Sequence, residues 1–375
     1  MREVVVAGVG MTRFARQPDV SVAQHGTNAT MRALDDAGIA WKEVQEMFCG
    51  ASAVGPYVGN QIGHQLGLTG VPIVNVENAS ASGSSAFRQA YLAVAEGRSD
   101  VALAVGTGKL GANMAESVMS DDMVLRRNLG QAFFNAMSIF ALKAKRRMEE
   151  FGTDPEVFAR IAVKSHNYGA RNPYAYHRYE TDLDKVLGSR MIADPLTVQQ
   201  CCPMGDGGAA AVLTTRERAE KIGRHVPITV AASVMKGEIY ADHYFPEGVL
   251  TEATANEAYE QCGLGPEDFD LVQVHDATSS EELEYYESLG LCAAGEAEAL
   301  VMRGDMGPGG RIPVNTDGGL VSRGHPLGPT GLAQIWETVQ QLRGEAGGRQ
   351  VPDAKVGLIQ MIGAGFVCFV HVLKR

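Results

Sequence analysis

Short apolar runs alternate along the chain with longer stretches in which apolar positions recur every three or four residues. The first pattern is typical of buried strands and the second of amphipathic helices. Gly38 follows one helical stretch and predicts its end, because glycine readily adopts the left-handed conformation that closes a helix. In the N-terminal part, the pattern predicts strands at residues 4–9, 73–76 and 101–105 and helices at residues 21–37 and 82–96.

The C-terminal part repeats this order of elements. The segment from Gln261 to Leu264 matches the segment from Asp36 to Ile39, with Gly263 in the place of Gly38. The repeated order indicates an old duplication, and alternating strands and helices predict mostly parallel sheets covered by helices. The predicted elements are strands at residues 228–234, 271–274, 356–360 and 367–372, a helix at 252–262, and a long helix that the turn 324–328 opens and that ends near residue 342.

A stretch of different composition separates the two parts. Residues 112–206 are richer in Met, Arg and Tyr and include a predicted helix at residues 133–151. In two-part α/β folds such an insertion usually covers the ligand. The sequence therefore predicts an N-terminal half made of residues 1–111 and 207–225, an inserted loop domain at residues 112–206, and a C-terminal half at residues 226–375.

Composition and charge make several functional classes unlikely candidates. The chain has 375 residues, 45% of them hydrophobic, and a net charge of −11, so we expect no binding to nucleic acid or to membrane surfaces. No apolar run approaches the length of a membrane span, and the N-terminus lacks a signal-peptide layout, so we expect a cytoplasmic enzyme. The six cysteines show no metal-ligand spacing, so we expect no bound metal, and we interpret the neighbouring Cys201 and Cys202 as structural.

Three polar residues at turns are candidates for chemistry. Ser80 lies between a strand and a helix, where backbone N–H groups can stabilise a negative oxygen; helix capping and packing are the alternative role. His325 lies at the start of the long helix, and His275 ends a short apolar strand. Either histidine can act as an acid or a base near neutral pH, or can be a buried residue with a purely structural role. The glycine turn at residues 363–365 can present an N–H to a carbonyl oxygen.

Five sequence blocks carry a resemblance to the thiolase superfamily, most closely to thiolases of the sterol-carrier-protein-X type and related lipid-transfer proteins. The blocks are VNVENASASG at 74–83, SRMIADP at 189–195 followed by CPMGDG at 202–207, the segment 274–292 that begins VHD, NTDGGLVSRGHPLG at 315–328, and QMIGAG at 360–365. The resemblance covers nearly the whole chain. It implies an α/β thiolase fold, with two similar βαβαβαββ halves in a five-layer α/β/α/β/α sandwich and a loop domain over the substrate. It also implies a homodimer that binds acyl-CoA, with coenzyme A as part of the substrate and no tightly bound cofactor.

The chain departs from ordinary thiolases, which use a nucleophilic cysteine, an activating histidine and an acid/base cysteine. Ser80 stands at the nucleophile position, His325 at that of the activating histidine, and Met361 at that of the acid/base cysteine. The resemblance implies one oxyanion hole formed by His325 and the group that His275 holds. It implies a second one formed by the backbone N–H groups of Ser80 and Gly363.

Both reactive thiols are missing, since Ala277 also stands where the sterol-carrier type has a cysteine after its His–Asp pair. A thiolate is strongly nucleophilic, whereas a serine needs a base to react. The resemblance therefore favours a retro-aldolase acting on a 3-hydroxyacyl-CoA in lipid or steroid side-chain degradation. The base is a histidine or a tyrosine; Tyr240 and Tyr244 are candidates, with aromatic packing as their alternative role. Steroid side-chain aldolases of this type suggest a small OB-fold, zinc-ribbon accessory protein as a partner.

Two other functions stay open at this point. The chain can be a 3-oxoacyl-CoA thiolase or acyltransferase in which Ser80, as the native residue or as a replacement of a native cysteine, stands at the acyl-accepting position. It can also be a non-catalytic acyl-CoA-binding subunit, although the presence of both histidines argues against that reading.

Overall fold

The computed structural model describes residues 1–109, 136–243 and 245–375 of the chain. Its strands are β1 (Val4–Met11), β2 (Glu46–Ala51), β3 (Ile73–Val76), β4 (Val101–Gly108), β5 (Met191–Ala193), β6 (Leu196–Thr197), β7 (Gly207–Thr215), β8 (Ile228–Gly237), β9 (Leu271–Gln273), β10 (Val356–Gly363) and β11 (Val367–Lys374). Its helices are α1 (Val22–Ala37), α2 (Val58–Leu66), α3 (Ser82–Ala95), α4 (Ala136–Phe151), α5 (Pro155–Ala170), α6 (Leu183–Leu187), α7 (Arg216–Ile222), α8 (Pro246–Cys262), α9 (Ser279–Ser288), α10 (Ala297–Arg303), α11 (Gly319–Arg323) and α12 (Thr330–Arg343).

The main strands form one sheet in the order β3-β2-β4-β7-β1-β8-β11-β10-β9. Pairing is parallel only between β3 and β2, β2 and β4, and β10 and β9, and the described strands between them pair antiparallel. The prediction of mostly parallel sheets was therefore wrong. After the insertion the chain enters β7, which pairs antiparallel with β4. The chain also turns directly from β10 into β11, so these two strands are antiparallel as well.

Helices cover both faces of each half, which gives five layers. Helix α1 packs on β1, β7 and β4 on one outer side, and α8 packs on β8 and β11 on the other. Helices α3 and α12 contact each other and lie between the two halves of the sheet. Their apolar side chains, such as Phe87, Leu332 and Trp336, belong to the central core. The halves are joined by the β1–β8 pairs Val5 with Thr229 and Val6 with Ile228.

A proline accounts for one helix start that differs from the prediction. Helix α8 begins at Pro246 rather than near residue 252, because proline is tolerated in the first turn, where its missing N–H is not needed. Helix α12 begins at Thr330, close to its predicted start after the turn 324–328. His325 therefore lies in a turn between α11 and α12. The predicted helix at 133–151 is α4 from Ala136 onwards, and its first three residues lie outside the described residues.

Glycines let the turn that carries His325 approach the start of α3. A Cβ atom on Gly328 would lie 2.1 Å from the carbonyl oxygen of Thr107, and one on Gly83 would lie 2.6 Å from the carbonyl oxygen of Gly328. A Cβ atom on Gly331 would lie 2.2 Å from Ser84 Oγ. Larger residues here would push the two segments apart.

The inserted segment is attached to the C-terminal half by a buried cluster of charges. Arg147 of α4 has a fully buried side chain and forms ion pairs with Glu284 and Glu287 of α9 and Glu298 of α10. The predicted domain boundaries and the cytoplasmic location stay predictions. Within the three described ranges, none of the helices combines the length and apolar character needed to cross a membrane.

Candidate active site

Ser80 lies in a tight turn directly before α3. Residues Ala79–Ala81 form a 3-10 turn directly before α3, and Ala79 has a φ of 48°, in the left-handed region that non-glycine residues rarely adopt. The turn is fixed at Asn78, whose N–H donates to Ser82 Oγ and whose carbonyl accepts from the N–H of Ala81. Strain of this kind often accompanies functional sites. Ser80 itself is buried, with 8% of its surface exposed.

A hydrogen bond joins Ser80 to His325, with 3.0 Å between Ser80 Oγ and His325 Nε2. The other ring nitrogen, Nδ1, lies 2.9 Å from Thr330 Oγ1, and that hydroxyl donates to the carbonyl oxygen of Pro326. Because a hydroxyl has one hydrogen, Thr330 accepts from His325, so the hydrogen of a neutral His325 ring sits on Nδ1. Nε2 then carries a lone pair and accepts the hydroxyl hydrogen of Ser80.

The surroundings of His325 keep its ring neutral. Burial lowers the pKa of His325 well below its ordinary value, and the nearby His275 and Arg323 lower it further. The backbone is held as well, since the N–H of His325 donates to the carbonyl oxygen of Pro203 at 3.0 Å. A neutral imidazole with a free lone pair is suited to act as a general base.

His275 lies beside His325, with ring centroids 5.3 Å apart and planes at 81°. It follows β9, and its Nδ1 lies 3.3 Å from Glu281 Oε1. Glu281 also accepts from the N–H of Ala277 and from the hydroxyl of Tyr285, which fixes the carboxylate. His275 Nε2 is buried and makes no hydrogen bond to any residue of the described ranges. Glu281 thus occupies one nitrogen of the ring and leaves the other to face a ligand.

Asp276 holds the segment that leads to His325. Its carboxyl oxygens accept from the N–H groups of Leu320 at 2.7 Å and Val321 at 3.4 Å. A Cβ atom on Gly319 would lie 2.2 Å from Asp276 Oδ2, so only glycine fits there. Burial, together with the charge of Glu282, raises the pKa of Asp276 well above its ordinary value. Asp276 therefore positions α11, and its carboxyl oxygens are already engaged by the backbone of that helix.

The end of β10 lies against the turn that carries Ser80. A Cβ atom on Gly363 would lie 2.3 Å from the carbonyl oxygen of Asn78 and 3.1 Å from Ala81 Cβ. Met361 is fully buried and packs with Ala81, Val367 and Phe369, so its side chain fills the core beneath the turn. The oxyanion hole at the Ser80 and Gly363 amides stays a prediction, and so does the role of the Met361 position.

The structure does not bring Tyr240 to the histidines. It follows β8 by a few residues and is 94% exposed, which leaves its hydroxyl in solvent rather than against the buried site. Tyr244 lies outside the described residues. Of the sequence candidates, the structure therefore gathers Ser80, His275 and His325 at one place, with Gly363 beside the serine turn.

Sequence reasoning missed two residues that orient the histidines. Glu281 lies six positions after His275, and Thr330 lies five positions after His325, on the first turn of the next helix. Glu281 could have been found from the sequence, because a carboxylate within two helical turns of a candidate histidine can orient its ring. Nothing in the sequence distinguishes Thr330 from an ordinary residue at a helix start.

The fold and the paired histidines define an α/β enzyme of the thiolase type that handles acyl-CoA. Residues 4–186 match the family "Thiolase, N-terminal domain", and residues 247–375 match the family "Thiolase C-terminal domain-like". The chain belongs to the thiolase family, as the sequence blocks predicted, and it has the thiolase fold. Those two expectations are confirmed.

Similar proteins support this membership over the full chain. Sterol carrier protein 2 of Oryctolagus cuniculus is 38% identical over 396 residues, covering 99% of this chain and 72% of that protein. Benzoylsuccinyl-CoA thiolase subunit BbsB of Thauera aromatica is 37% identical over 383 residues, covering 97% of this chain and 95% of that protein. The Ltp2-ChsH2(DUF35) aldolase structure has a TM-score of 0.85 and 26% identity, covering 99% of this chain and 97% of that chain.

Proposed function

We propose that this enzyme cleaves the carbon–carbon bond between Cα and Cβ of a 3-hydroxyacyl-CoA by a retro-aldol reaction. One observation carries the proposal. Two histidines with different hydrogen-bond partners meet at a site where serine, alanine and methionine stand at residues 80, 277 and 361. That arrangement supplies a base and a hydrogen-bond donor without a thiol nucleophile. The similarity to a protein described as an aldolase agrees with it.

The reaction balances without free coenzyme A. The base removes the β-hydroxyl proton, the oxygen electrons form the new carbonyl, and the Cα–Cβ bond breaks. The electron pair of that bond becomes the enolate of the shorter thioester, which is then protonated at Cα. The products are a ketone or aldehyde and a shorter acyl-CoA.

Different hydrogen-bond partners support different roles for the two histidines. His325 is the base that acts directly on the substrate, because its ring is neutral and Nε2 has the lone pair. His275 holds the enolate oxygen: a ring with a hydrogen on each nitrogen donates from Nε2 to that oxygen and from Nδ1 to Glu281 Oε1.

Product analysis by mass spectrometry tests the proposal directly. A panel of 3-hydroxyacyl- and 3-oxoacyl-CoA esters is incubated with the enzyme, each with and without added free CoA. Cleavage of a 3-hydroxyacyl-CoA into a carbonyl compound and a shorter acyl-CoA, without added CoA, supports the retro-aldolase. Cleavage of only the 3-oxo esters, and only with added CoA, would overturn it.

Partners and the acyl group belong to the same proposal. The similarity to the Ltp2-ChsH2(DUF35) aldolase and to a protein named as a thiolase subunit supports an accessory chain, for which we expect a small OB-fold, zinc-ribbon protein. We also propose a homodimer and a lipid or steroid side-chain substrate, in line with the similarity to sterol carrier protein 2. Co-purification of the chain with and without a co-expressed accessory protein, followed by mass measurement in solution, tests the assembly.

A second candidate function rests on the 3.0 Å hydrogen bond between Ser80 and His325. A serine whose hydroxyl donates to a neutral histidine is also the arrangement of an activated nucleophile. In that case a 3-oxoacyl-CoA would acylate Ser80, and CoA would accept the acyl group. The intact-protein mass after incubation with a 3-oxoacyl-CoA would then increase by the acyl group, and a Ser80→Ala variant would show no increase.

A further inference from the structure

Cys202 lies between the backbone segments that carry the two histidines. Its N–H donates to the carbonyl oxygen of Ala277 at 2.9 Å, two residues beyond His275. The next residue, Pro203, accepts at 3.0 Å from the N–H of His325. One short stretch of chain therefore connects both histidine segments, and Cys202 is the residue at its centre.

The two neighbouring cysteines point in opposite directions. Cys201 forms an isolated antiparallel bridge with Thr278, so Cys202 stands opposite Ala277 on the next rung. Successive side chains of an extended segment alternate between faces, and directly opposed Cβ atoms lie about 5 Å apart. Cys201 packs into an apolar cluster with Ala141 and Leu196 of the inserted segment. Cys202 therefore faces the opposite side of this pairing, the side on which the Ala277 side chain lies.

The surroundings of Cys202 keep its sulfur protonated. Burial raises the pKa of the Cys202 thiol well above its ordinary value, and the nearby Cys201, Asp276 and Glu281 raise it further. The residue is nevertheless only half-buried, whereas Cys201 is buried. A protonated thiol is a poor nucleophile but a serviceable proton donor.

A second observation marks the same place as a ligand site. The His275 side chain is 6% exposed, and its Nε2 has no hydrogen-bond partner among the described residues. A buried polar atom without a partner is costly, and a bound ligand would satisfy it. The chain segment that holds Cys202 thus borders a site in which an oxygen is expected against His275.

We propose that Cys202 is the acid that protonates Cα of the thioester enolate. The inference rests on the proposed function, but only on the enolate, which both candidate reactions share. The S–H bond breaks as the new C–H bond forms at Cα, and the electron pair of the S–H bond stays on sulfur as a thiolate. The thiolate regains a proton from the imidazolium of His325, directly or through water. His325 had taken that proton from the substrate hydroxyl, so the enzyme ends the cycle unchanged.

Exchange of α-hydrogens with solvent tests this step separately from bond cleavage. The enzyme is incubated in D₂O with acetyl-, propanoyl- and butanoyl-CoA, and deuterium at Cα is followed by mass spectrometry. We expect the wild type to incorporate deuterium and Cys202→Ala to do so roughly 10²-fold more slowly. Cys202→Ser is nearly isosteric, preserves the packing and should give an intermediate rate. The matched control is Cys201→Ala, whose side chain faces the inserted segment and whose exchange rate should stay at the wild-type value.

The outcomes separate the inference from the proposed function. Exchange in Cys202→Ala and Cys202→Ser at the wild-type rate would overturn the acid role and leave the retro-aldolase intact. Loss of exchange in Cys201→Ala to the same extent as in Cys202→Ala would also overturn it, because the effect would then be structural. Absence of exchange by the wild type with all three esters would remove the enolate chemistry on which both proposals rest.

Discussion

Two residues outside the reacting group determine which nitrogen of each histidine faces the site. Thr330 accepts the Nδ1 hydrogen of His325 because its own hydrogen is committed to Pro326. Glu281 takes Nδ1 of His275 and is itself fixed by two further hydrogen bonds. Partners of this kind fix the tautomer and the orientation of a catalytic ring, so replacing them affects chemistry without removing the ring.

We predict that Glu281→Gln lowers kcat for the cleavage reaction roughly 10²-fold. The amide is the same size but has no charge to stabilise a protonated His275, and its NH₂ group can turn towards the ring. Steady-state kinetics with a cleaved 3-hydroxyacyl-CoA measure the effect. Tyr285→Phe is the matched control, because it removes one hydrogen bond to Glu281 and leaves the carboxylate beside His275. Equal losses in both variants would contradict the positioning role.

The three candidate residues that the structure brings together were predictable from the sequence, and the residues that orient them were not. Ser80, His275 and His325 each lie at a turn after a predictable strand or before a predictable helix, and the sequence blocks identify those turns. Cys202 meets the His275 segment through pairing between residues far apart in the chain, which local patterns do not contain. Tyr240 was an unhelpful candidate, because proximity to a strand end does not tell whether a side chain faces the site or solvent.

At the scale of elements, the pattern located most helices and strands but not the directions of the strands. A buried strand has the same apolar run whichever way it points. The pattern therefore could not predict that β7, β1, β8 and β11 pair antiparallel. The start of one helix was misplaced, at α8, which a proline begins. Helix α12 follows its predicted turn, in which the backbone N–H of His325 donates to the carbonyl oxygen of Pro203.

The inserted segment is the element with the clearest single anchor, Arg147. We predict that Arg147→Ala lowers the free energy of unfolding by about 3–5 kcal/mol, because buried Glu284 and half-buried Glu287 and Glu298 lose their common, fully buried cation. Chemical denaturation measures the loss, and limited proteolysis should cut the segment around α4 faster than in the wild type. Arg146→Ala is the matched control. Its side chain is 58% exposed and, among the described residues, forms surface ion pairs with Glu149 and Glu150, so its cost should stay below about 1 kcal/mol.

At the scale of the whole molecule, buried histidines make stability depend on pH. Burial lowers the pKa of His25, His166, His177, His325 and His371, to about 4 for His177 and about 3 for His371. An unfolded histidine has a pKa near 6.5, so below that pH the unfolded chain binds protons that the folded chain does not. The contribution of these neutral histidines to the free energy of unfolding is therefore fully present above about pH 7. It is lost as the pH falls towards the folded-state pKa values.

We predict that the free energy of unfolding decreases as the pH is lowered from 7 to 5, by up to about 1.4 kcal/mol per pH unit for each fully buried histidine. Denaturation midpoints at several pH values measure this slope. His371→Gln should reduce the slope of the free energy of unfolding against pH by the contribution of one histidine, because His371 is fully buried beside Phe87 and Phe369. His64→Gln should leave it unchanged, because that ring is exposed. A slope that is the same in all three proteins would refute the explanation.

The central claim is that the site breaks a carbon–carbon bond through an enolate and without an acyl group on Ser80. The measurement that tests it most directly is the product spectrum of Ser80→Ala with a 3-hydroxyacyl-CoA that the wild type cleaves, in the absence of free CoA. Since His325 keeps its lone pair and its bond to Thr330, we predict that the variant still releases the carbonyl compound and the shorter acyl-CoA, within about tenfold of the wild-type rate. Complete loss of both products in a folded Ser80→Ala protein would contradict the account, because the Ser80 hydroxyl would then be required for the reaction.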